Sequence, residues 1–368
     1  MKIPLLDLTR QYRSLKKELD TAVLKVLEHE KFILGPEVKL LEQKIAELCN
    51  VNYACGVASG TDALLLALRA AGVQAGDEVI TSDFSFFATA GVIARLGAIP
   101  VFIDIEKDSY NIDPRLIEQA VTSKTKAIVP VHLFGRIADM DPILELAKKY
   151  NLKVIEDAAQ AIGAEYKNRK AGSIGDFGCF SFYPSKNLGA GGDGGMIVTN
   201  EEANHEMINI LRVHGAKPKY HHRIVGYNSR LATIQAAILL VKLPYLNQWS
   251  EKRREHAQKY NEAFKNLSGV VTPTVKDYTS FHIFNQYTIA VPNREELMAK
   301  LKEADIGFDI YYPIPFHRQE CFAYLNYTDE QFPIANKAAQ EVLSLPIYPE
   351  LTEEEQNQII ETIIKAVL

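Results

Sequence analysis

The sequence predicts an α/β protein, with a large domain on a mostly parallel sheet and a smaller α/β domain after it. Three observations carry this. Between residues 53 and 200, short β-branched apolar runs alternate with stretches of helical periodicity, the pattern of βαβ units. At 179–199 the alternation gives way to two apolar runs joined by a glycine-rich loop, with no helix between them. The chain has 368 residues, enough for two cores.

Each element has its own signal. Leu15, Leu19, Val23 and Val26–Leu27 recur near helical spacing over 13–30, and Phe32–Pro36 ends that helix. A second helix is predicted over 37–49. Tyr53–Ala58 reads as a strand and Asp62–Ala71 as a helix; Glu78–Thr81 and Ala88–Leu96 repeat the pair. Val101–Asp104, Ala127–Val131 and Lys153–Glu156 are further strands, with a helix at Asp141–Tyr150 between the last two. Cys179–Tyr183 and Met196–Thr199 flank the glycine loop. Helices follow at Glu202–Val213 and Ile234–Leu243, and a break at Pro244 precedes a charged helix containing Glu251–Glu255. A strand at Tyr287–Val291, a helix near Arg294–Ala304 and a final helix from Glu353 complete the chain. The division is placed after residue 245, giving a large domain of 1–245 and a small one of 246–368.

Composition removes several classes of function. Hydrophobic residues make up 47% and charged residues 24%, which excludes a disordered, collagen-like or coiled-coil chain. Lys plus Arg is 41 against 46 for Asp plus Glu, a net charge of -5 that argues against a nucleic-acid-coating protein. Cys49, Cys55, Cys179 and Cys321 are scattered and lack C-x-x-C spacing, so no disulfide framework, zinc ribbon or thioredoxin-like motif is expected. Nine histidines form no H-E-x-x-H or other metal-ligand pair, so no metal is expected. The opening Met1–Ser14 has no apolar signal core, and no run reaches the ~18 apolar residues of a membrane helix. The expectation is a cytoplasmic protein with no nucleic-acid or membrane partner.

Four segments carry chemistry. Ser59-Gly60-Thr61-Asp62 follows a strand and opens a helix, where free backbone N–H groups and the helix dipole can hold a phosphate. Taken alone, the same residues read more simply as a plain helix N-cap. Glu156-Asp157-Ala158-Ala159-Gln160 follows an apolar strand. Open α/β sheets bind ligands at such strand ends, and an Asp there can hold a protonated heterocyclic nitrogen. The alternative is a surface acid or cap. Lys186 lies in a loop after Ser181-Phe182-Tyr183-Pro184-Ser185; shielded from water, its neutral amine becomes a nucleophile. Otherwise it is a solvated loop lysine. Gly189, Gly191 and Gly194 satisfy G-x-G-x-x-G, but they run into an apolar strand instead of opening a helix, so a dinucleotide fingerprint is the wrong context.

The order and spacing of these segments say more than any one of them. A phosphate-type turn is followed by an Asp after a strand, and then by a Lys 29 residues further on. The chain resembles the pyridoxal-phosphate enzymes of the aspartate aminotransferase fold (fold type I). Within them it is similar to the DegT/DnrJ/EryC1/StrS nucleotide-sugar aminotransferases. The resemblance spans nearly the whole chain and includes Phe32–Val38, Ser59–Leu64, Glu156–Gln160, Ser181–Asn187, Arg212–Gly215, Gly226–Leu231, Ile234–Ala237 and Tyr312–Pro315. It implies a large domain with a mostly parallel seven-stranded sheet, a small C-terminal α/β domain, and pyridoxal 5'-phosphate as cofactor.

The resemblance also implies roles. Lys186 matches the Schiff-base lysine, which also moves the proton at the reacting carbon. Asp157 matches the carboxylate that pairs with the pyridinium nitrogen and keeps the ring an electron sink. Gln160 matches the residue near the phenolic oxygen, and Phe86 the aromatic stacked on the ring. Gly60, Thr61 and Ser181 match phosphate ligands. Asn228 matches a phosphate ligand given by the neighbouring subunit, which implies a homodimer with shared active sites. Arg230, Lys219 and Tyr220 fall where that partner approaches the nucleotide sugar. Two departures stand out. Ala232 and Thr233 follow Leu231 where the family often carries Asp, and Tyr311 stands where members acting on 3-keto sugars often have His. Tyr311 and His317 are the polar substrate-binding candidates of that loop.

The implied reaction is a ping-pong transamination from L-glutamate to a nucleotide-linked keto-sugar. Lys186 favours aminotransfer over the C-3 dehydration of relatives with His at that position. The segment Ala216–His222 resembles members that aminate C-3, which points to a UDP-2-acetamido-3-keto sugar and a 2,3-diamino product for lipid A or a surface polysaccharide. A dTDP-3-keto-6-deoxyhexose is the alternative, with a 4-keto sugar third. Two other classes stay open at this stage: a nicotinamide oxidoreductase, and a non-catalytic sensor of cofactor or sugar on the same fold.

Overall fold

The computed structural model describes residues 2–368. Helix α1 (Leu8–His29) starts earlier than its periodicity predicts, because the Asp7 carboxylate accepts the Thr9 and Arg10 N–H groups and caps it. Helix α2 (Pro36–Cys49) opens on Pro36, whose missing N–H costs nothing in a first turn. Strand β1 (Tyr53–Val57) leads into α3 (Gly60–Ala70), capped by Ser59. Strand β2 (Glu78–Ser82), α4 (Ala88–Arg95), β3 (Ile99–Ile103), the short α5 (Ile117–Ala120) and β4 (Thr125–Val129) follow. Then come α6 (Met140–Tyr150), β5 (Lys153–Asp157), β6 (Glu165–Tyr166), β7 (Arg169–Lys170), β8 (Phe177–Ser181) and β9 (Gly195–Thr199).

The main sheet has seven strands in the order β1-β9-β8-β5-β4-β2-β3. Only β9 runs against the others, pairing antiparallel with both β1 and β8. Strand β3 reaches back to include Pro100 because it lies at the sheet edge, where one side needs no ladder N–H. Both faces are buried. Ala54, Ile80, Ile128, Val154, Phe180 and Val198 pack on one side, and Cys55, Val79, Val129, Ile155, Cys179 and Ile197 on the other. Helix α3 supplies the second layer. Leu64, Leu65, Leu66 and Leu68 are all buried, each contributing about 2 kcal/mol of apolar burial.

Helices α7 (Glu202–Leu211) and α8 (Thr233–Lys242) complete the two layers. Pro244 does not break the chain as expected. It sits in a 3₁₀ turn, Leu243–Tyr245, that joins α8 to α9 (Leu246–Phe264). Strand β10 (Thr279–Phe281) adds to β6 and β7. A separate antiparallel pair, β11 (Tyr287–Ala290) and β12 (Val342–Leu345), packs with α9, α10 (Arg294–Glu303) and α12 (Glu353–Val367). Helix α11 (Pro333–Glu341) precedes β12. Ile3, bridged to Ile306, is buried in this second core, so the start of the chain packs beside its end.

Candidate active site

The parallel strands end together, as ligand sites of open α/β sheets require. Asp157 closes β5, Ser181 closes β8, and α3 points its N-terminus at the same place. A cavity of ≈ 470 Å³ opens there. Gly60, Thr61, Phe86, Asp157, Gln160, Ser181, Lys186 and Tyr311 all line it.

The α3 end is a cradle. A Cβ on Gly60 would stand 2.6 Å from the Ser181 Cβ, and one on Gly195 would stand 2.3 Å from the Ser59 carbonyl. Backbone thus approaches backbone, and the Gly60 and Thr61 N–H groups lie at a helix start beside a serine hydroxyl.

Asp157 is buried, and burial pushes its carboxyl pKa up; Thr89, the Ala159 N–H, Lys186 and His132 pull it back. Its Oδ2 accepts the Thr89 hydroxyl at 2.6 Å and its Oδ1 accepts the Ala159 N–H at 3.2 Å. Its neighbour Glu156 faces inward. Glu156 accepts the Gly172, Ile174 and Gly175 N–H groups at 2.8, 2.6 and 2.7 Å, and His132 Nε2 at 2.8 Å. His132 Nδ1 accepts the Ala138 N–H, which leaves the ring proton on Nε2. The His132 N–H bonds the Asp157 carbonyl at 3.0 Å, so this buried knot fixes the backbone that presents Asp157.

Lys186 stands in the turn after β8, and its N–H donates to the Tyr183 carbonyl. Asn187 ties the turn down through a bond to the Ile283 carbonyl at 3.1 Å. Desolvation pulls the Lys186 amine down to about 8, against the attraction of Asp157. Gln160 is clamped from both ends: Oε1 accepts the Phe134 N–H at 2.7 Å and Nε2 donates to the Tyr312 hydroxyl at 3.0 Å. The Phe86 ring lies 6.2 Å from that of Tyr312.

The expected cofactor passes the test of fit. A backbone cradle for a phosphate, a buried carboxylate for a ring nitrogen and an amine of lowered pKa open into one cavity. The family model for DegT/DnrJ/EryC1/StrS aminotransferases matches residues 13–364. This chain belongs to that family. As a DegT-family aminotransferase it is 52% identical, over 99% of this chain and 98% of the relative, to the "pleiotropic regulatory protein" of Geobacillus stearothermophilus. It is 45% identical, over 100% of this chain and 98% of the relative, to the UDP-N-acetyl-3-dehydro-alpha-D-glucosamine 3-aminotransferase of Acidithiobacillus ferrooxidans. Among solved structures, DesV of S. venezuelae superposes with a TM-score of 0.96 at 38% identity, covering 99% of this chain and 98% of that one. This DegT-family enzyme is a sugar aminotransferase of PLP fold type I, and its cofactor is pyridoxal phosphate. The nicotinamide reading falls with this assignment: Gly189–Gly194 leads into β9 and opens no helix.

Other expected site residues lie elsewhere in the protomer. Lys219, Tyr220 and Asn228 are exposed, Arg230 is half-buried and hydrogen bonded to Asn228, and none of the four lines the cavity. His317 does not line the cavity either. It is buried, and its two ring nitrogens are bonded to Asp83 and Asp329. Thr89 and Tyr312 are the site residues that sequence reasoning passed over. The signals were there, in Ser85–Thr89 and Tyr312–Pro315, but a threonine opening a helix ordinarily reads as a helix-start residue.

Proposed function

We propose that this enzyme moves the amino group of L-glutamate to C-3 of a UDP-linked 2-acetamido-3-keto hexose, giving a 2,3-diamino sugar for lipid A or a surface polysaccharide, in the cytoplasm. Two relatives support the choice of sugar: the end-to-end match, at 45% identity, with one named for that 3-amination, and a 43% match over 95% of this chain with one named UDP-2-acetamido-2-deoxy-3-oxo-D-glucuronate aminotransferase. A dTDP-3-keto-6-deoxyhexose is the second reading, favoured by an equally identical relative named dTDP-3-amino-3,6-dideoxy-alpha-D-galactopyranose transaminase.

Bound pyridoxal phosphate supplies an electron sink for the carbon that gains or loses the amine. The chain's residues do the rest. Gly60, Thr61 and Ser181 bind the phosphate, Phe86 covers a ring face, and Gln160 faces the phenolic oxygen. Asp157 holds the proton on the ring nitrogen. The Lys186 amine anchors the cofactor and then carries the proton to and from the reacting carbon, a task suited to a pKa of about 8. Tyr311 lies at the sugar side.

Asn228, Arg230, Lys219 and Tyr220 act in the cavity of a partner protomer, in a homodimer with shared sites. What supports this is their separation from their own protomer's cavity and the exposure of the loop that carries them, with Tyr220 80% and Val225 87% exposed. We also read 1–245 and 246–368 as two domains, supported by the separate core around β11 and β12. Contacts cross the division: Ile3 packs in the second core, and β10 pairs with β6.

The test is spectroscopic. Protein loaded with pyridoxal phosphate should lose its visible band on titration with L-glutamate, and the resulting form should aminate a UDP-linked 3-keto sugar faster than a dTDP-linked one. The reverse preference moves the assignment to the deoxyhexose. A band indifferent to glutamate removes glutamate as donor.

A further inference from the structure

Asp157 must stay ionised to hold a ring proton, yet its place at the end of β5 takes water away from it. Its charged or titratable neighbours are few. Lys186 and His132 act on it from the next turns of the sheet, and the Cys179 thiol and Tyr312 hydroxyl feel its charge. Neither side chain makes a hydrogen bond to the carboxylate. His132 spends its Nε2 proton on Glu156, and Lys186 is the amine that the chemistry engages. The direct bonds are two: the Thr89 hydroxyl at 2.6 Å on Oδ2 and the Ala159 N–H at 3.2 Å on Oδ1.

The Thr89 bond is the shorter, and it is unusual for its place. Thr89 stands in the first turn of α4, where a threonine hydroxyl commonly bonds to backbone near it in sequence. Here it crosses 68 residues of sequence to a buried carboxylate, and Thr89 is itself 1% exposed. An ionised carboxylate only accepts, so the hydroxyl donates, and a charge-assisted O–H···O bond of this length favours the ionised form. The same turn, Ser85–Thr89, presents Phe86 to the cavity. One turn of chain therefore reaches both the wall of the cavity and the carboxylate at its floor.

We propose that Thr89 is a positioning residue of this aminotransferase, holding Asp157 ionised and in one rotamer so that it can pair with the cofactor ring nitrogen. This rests on the reading that Asp157 faces that nitrogen.

The experiment compares Thr89→Val, which keeps the shape and removes the donor, with Thr89→Ser, which keeps the donor, and with Asp157→Ala. Each is measured for pyridoxal phosphate affinity, for the pH midpoint of the visible band, and for kcat against KM with L-glutamate. Thr89→Val should bind cofactor about tenfold more weakly, the loss of one hydrogen bond to a charged group. Its midpoint should move upward, because a ring that is less often protonated draws less charge from the Lys186 nitrogen. Its kcat should fall with KM for glutamate little changed. Thr89→Ser should restore all three. A wild-type midpoint in Thr89→Val beside a shifted one in Asp157→Ala overturns the role of Thr89 and leaves that of Asp157 standing. Equal impairment in Thr89→Ser and Thr89→Val also overturns it, reducing Thr89 to a packing residue. An unshifted midpoint in Asp157→Ala overturns the underlying reading, and the proposal with it.

Discussion

The His317 imidazole and the Asp83 carboxylate meet at 2.6 Å, Nδ1 to Oδ2, with their side chains only 2% and 0% exposed. Asp83 follows β2 and His317 lies in the loop after Tyr311–Pro315, so the bond joins the main sheet to the segment that closes one side of the cavity. The His317 N–H adds a second strut, to Asp83 Oδ1 at 2.8 Å.

This pair predicts a pH-dependent stability. Burial pushes the Asp83 carboxyl up to about 6, against the pull of His317. Burial pushes His317 down, but its bonds to Asp83 and Asp329 more than reverse this and leave it raised. Both groups therefore keep a proton in the folded chain at pH values where the unfolded chain has released it. Stability from His317 is fully present below its unfolded pKa of about 6.5 and is lost as pH rises through its higher folded value. The Asp83 shift acts in the same direction between 3.8 and about 6. Urea melts at about pH 6 and pH 8.5 should show the wild type losing stability on the alkaline side. His317→Gln alone should cost about 3 kcal/mol by leaving Asp83 without its cation, and the double variant Asp83→Asn/His317→Gln, which removes both titrating groups, should flatten that dependence. An unchanged slope in the double variant would place the titration elsewhere.

Lys186 predicts the pH dependence of cofactor loading. Its amine is nucleophilic only when neutral, and desolvation brings that form within reach near pH 8. The rate at which the visible band forms on adding pyridoxal phosphate should rise with pH and level off above about 8. Lys186→Ala should form no such band and show no turnover while melting near the wild-type temperature. Wild-type turnover in that variant would sink the assignment of the lysine.

Much of this was legible in the chain because the physics was local. The β1-to-α3 turn, Asp157 and Lys186 each follow or close a strand whose apolar run is plain to read, and six parallel strands end at that one sheet edge. What was not legible depends on distant packing. No strand is expected at Val342–Leu345, and β12 shows itself there only through its pairing with β11. The two-residue strands β6 and β7 are too short to carry any period. His317 has the polarity of a substrate ligand, and only the fold reveals that Asp83, far away in sequence, has already claimed it. Thr89 is the converse, a helix-start residue whose partner lies 68 positions along the chain.

Gly60 predicts a separable effect on the cofactor. A methyl group there would stand 2.6 Å from the Ser181 Cβ and 3.0 Å from its Oγ, inside the proposed phosphate cradle. Gly60→Ala should weaken pyridoxal phosphate binding about tenfold, while overpacking costs the fold about 1–3 kcal/mol. Raising the cofactor concentration should recover most of the activity. Dialysis followed by absorbance measures the retention directly, and full retention would mean that the phosphate sits elsewhere.

The last prediction concerns who completes the cavity. Asn228 and Arg230 bond to each other on the surface, away from the Lys186 of their own chain. If they serve a partner, then Lys186→Ala and Asn228→Asp damage different chains of the same site. Asn228→Asp alone should lose cofactor strongly, because a carboxylate would face the phosphate. In a mixed dimer, one site would carry both lesions and the other neither. Random reassortment of equal amounts makes half the dimers mixed, so about a quarter of all sites should be intact. Two nearly inactive preparations, unfolded together and refolded, should thus regain about a quarter of wild-type activity. If mixed dimers form, as two affinity tags can show, and no activity returns, each chain builds its site alone and Asn228 has no part in it.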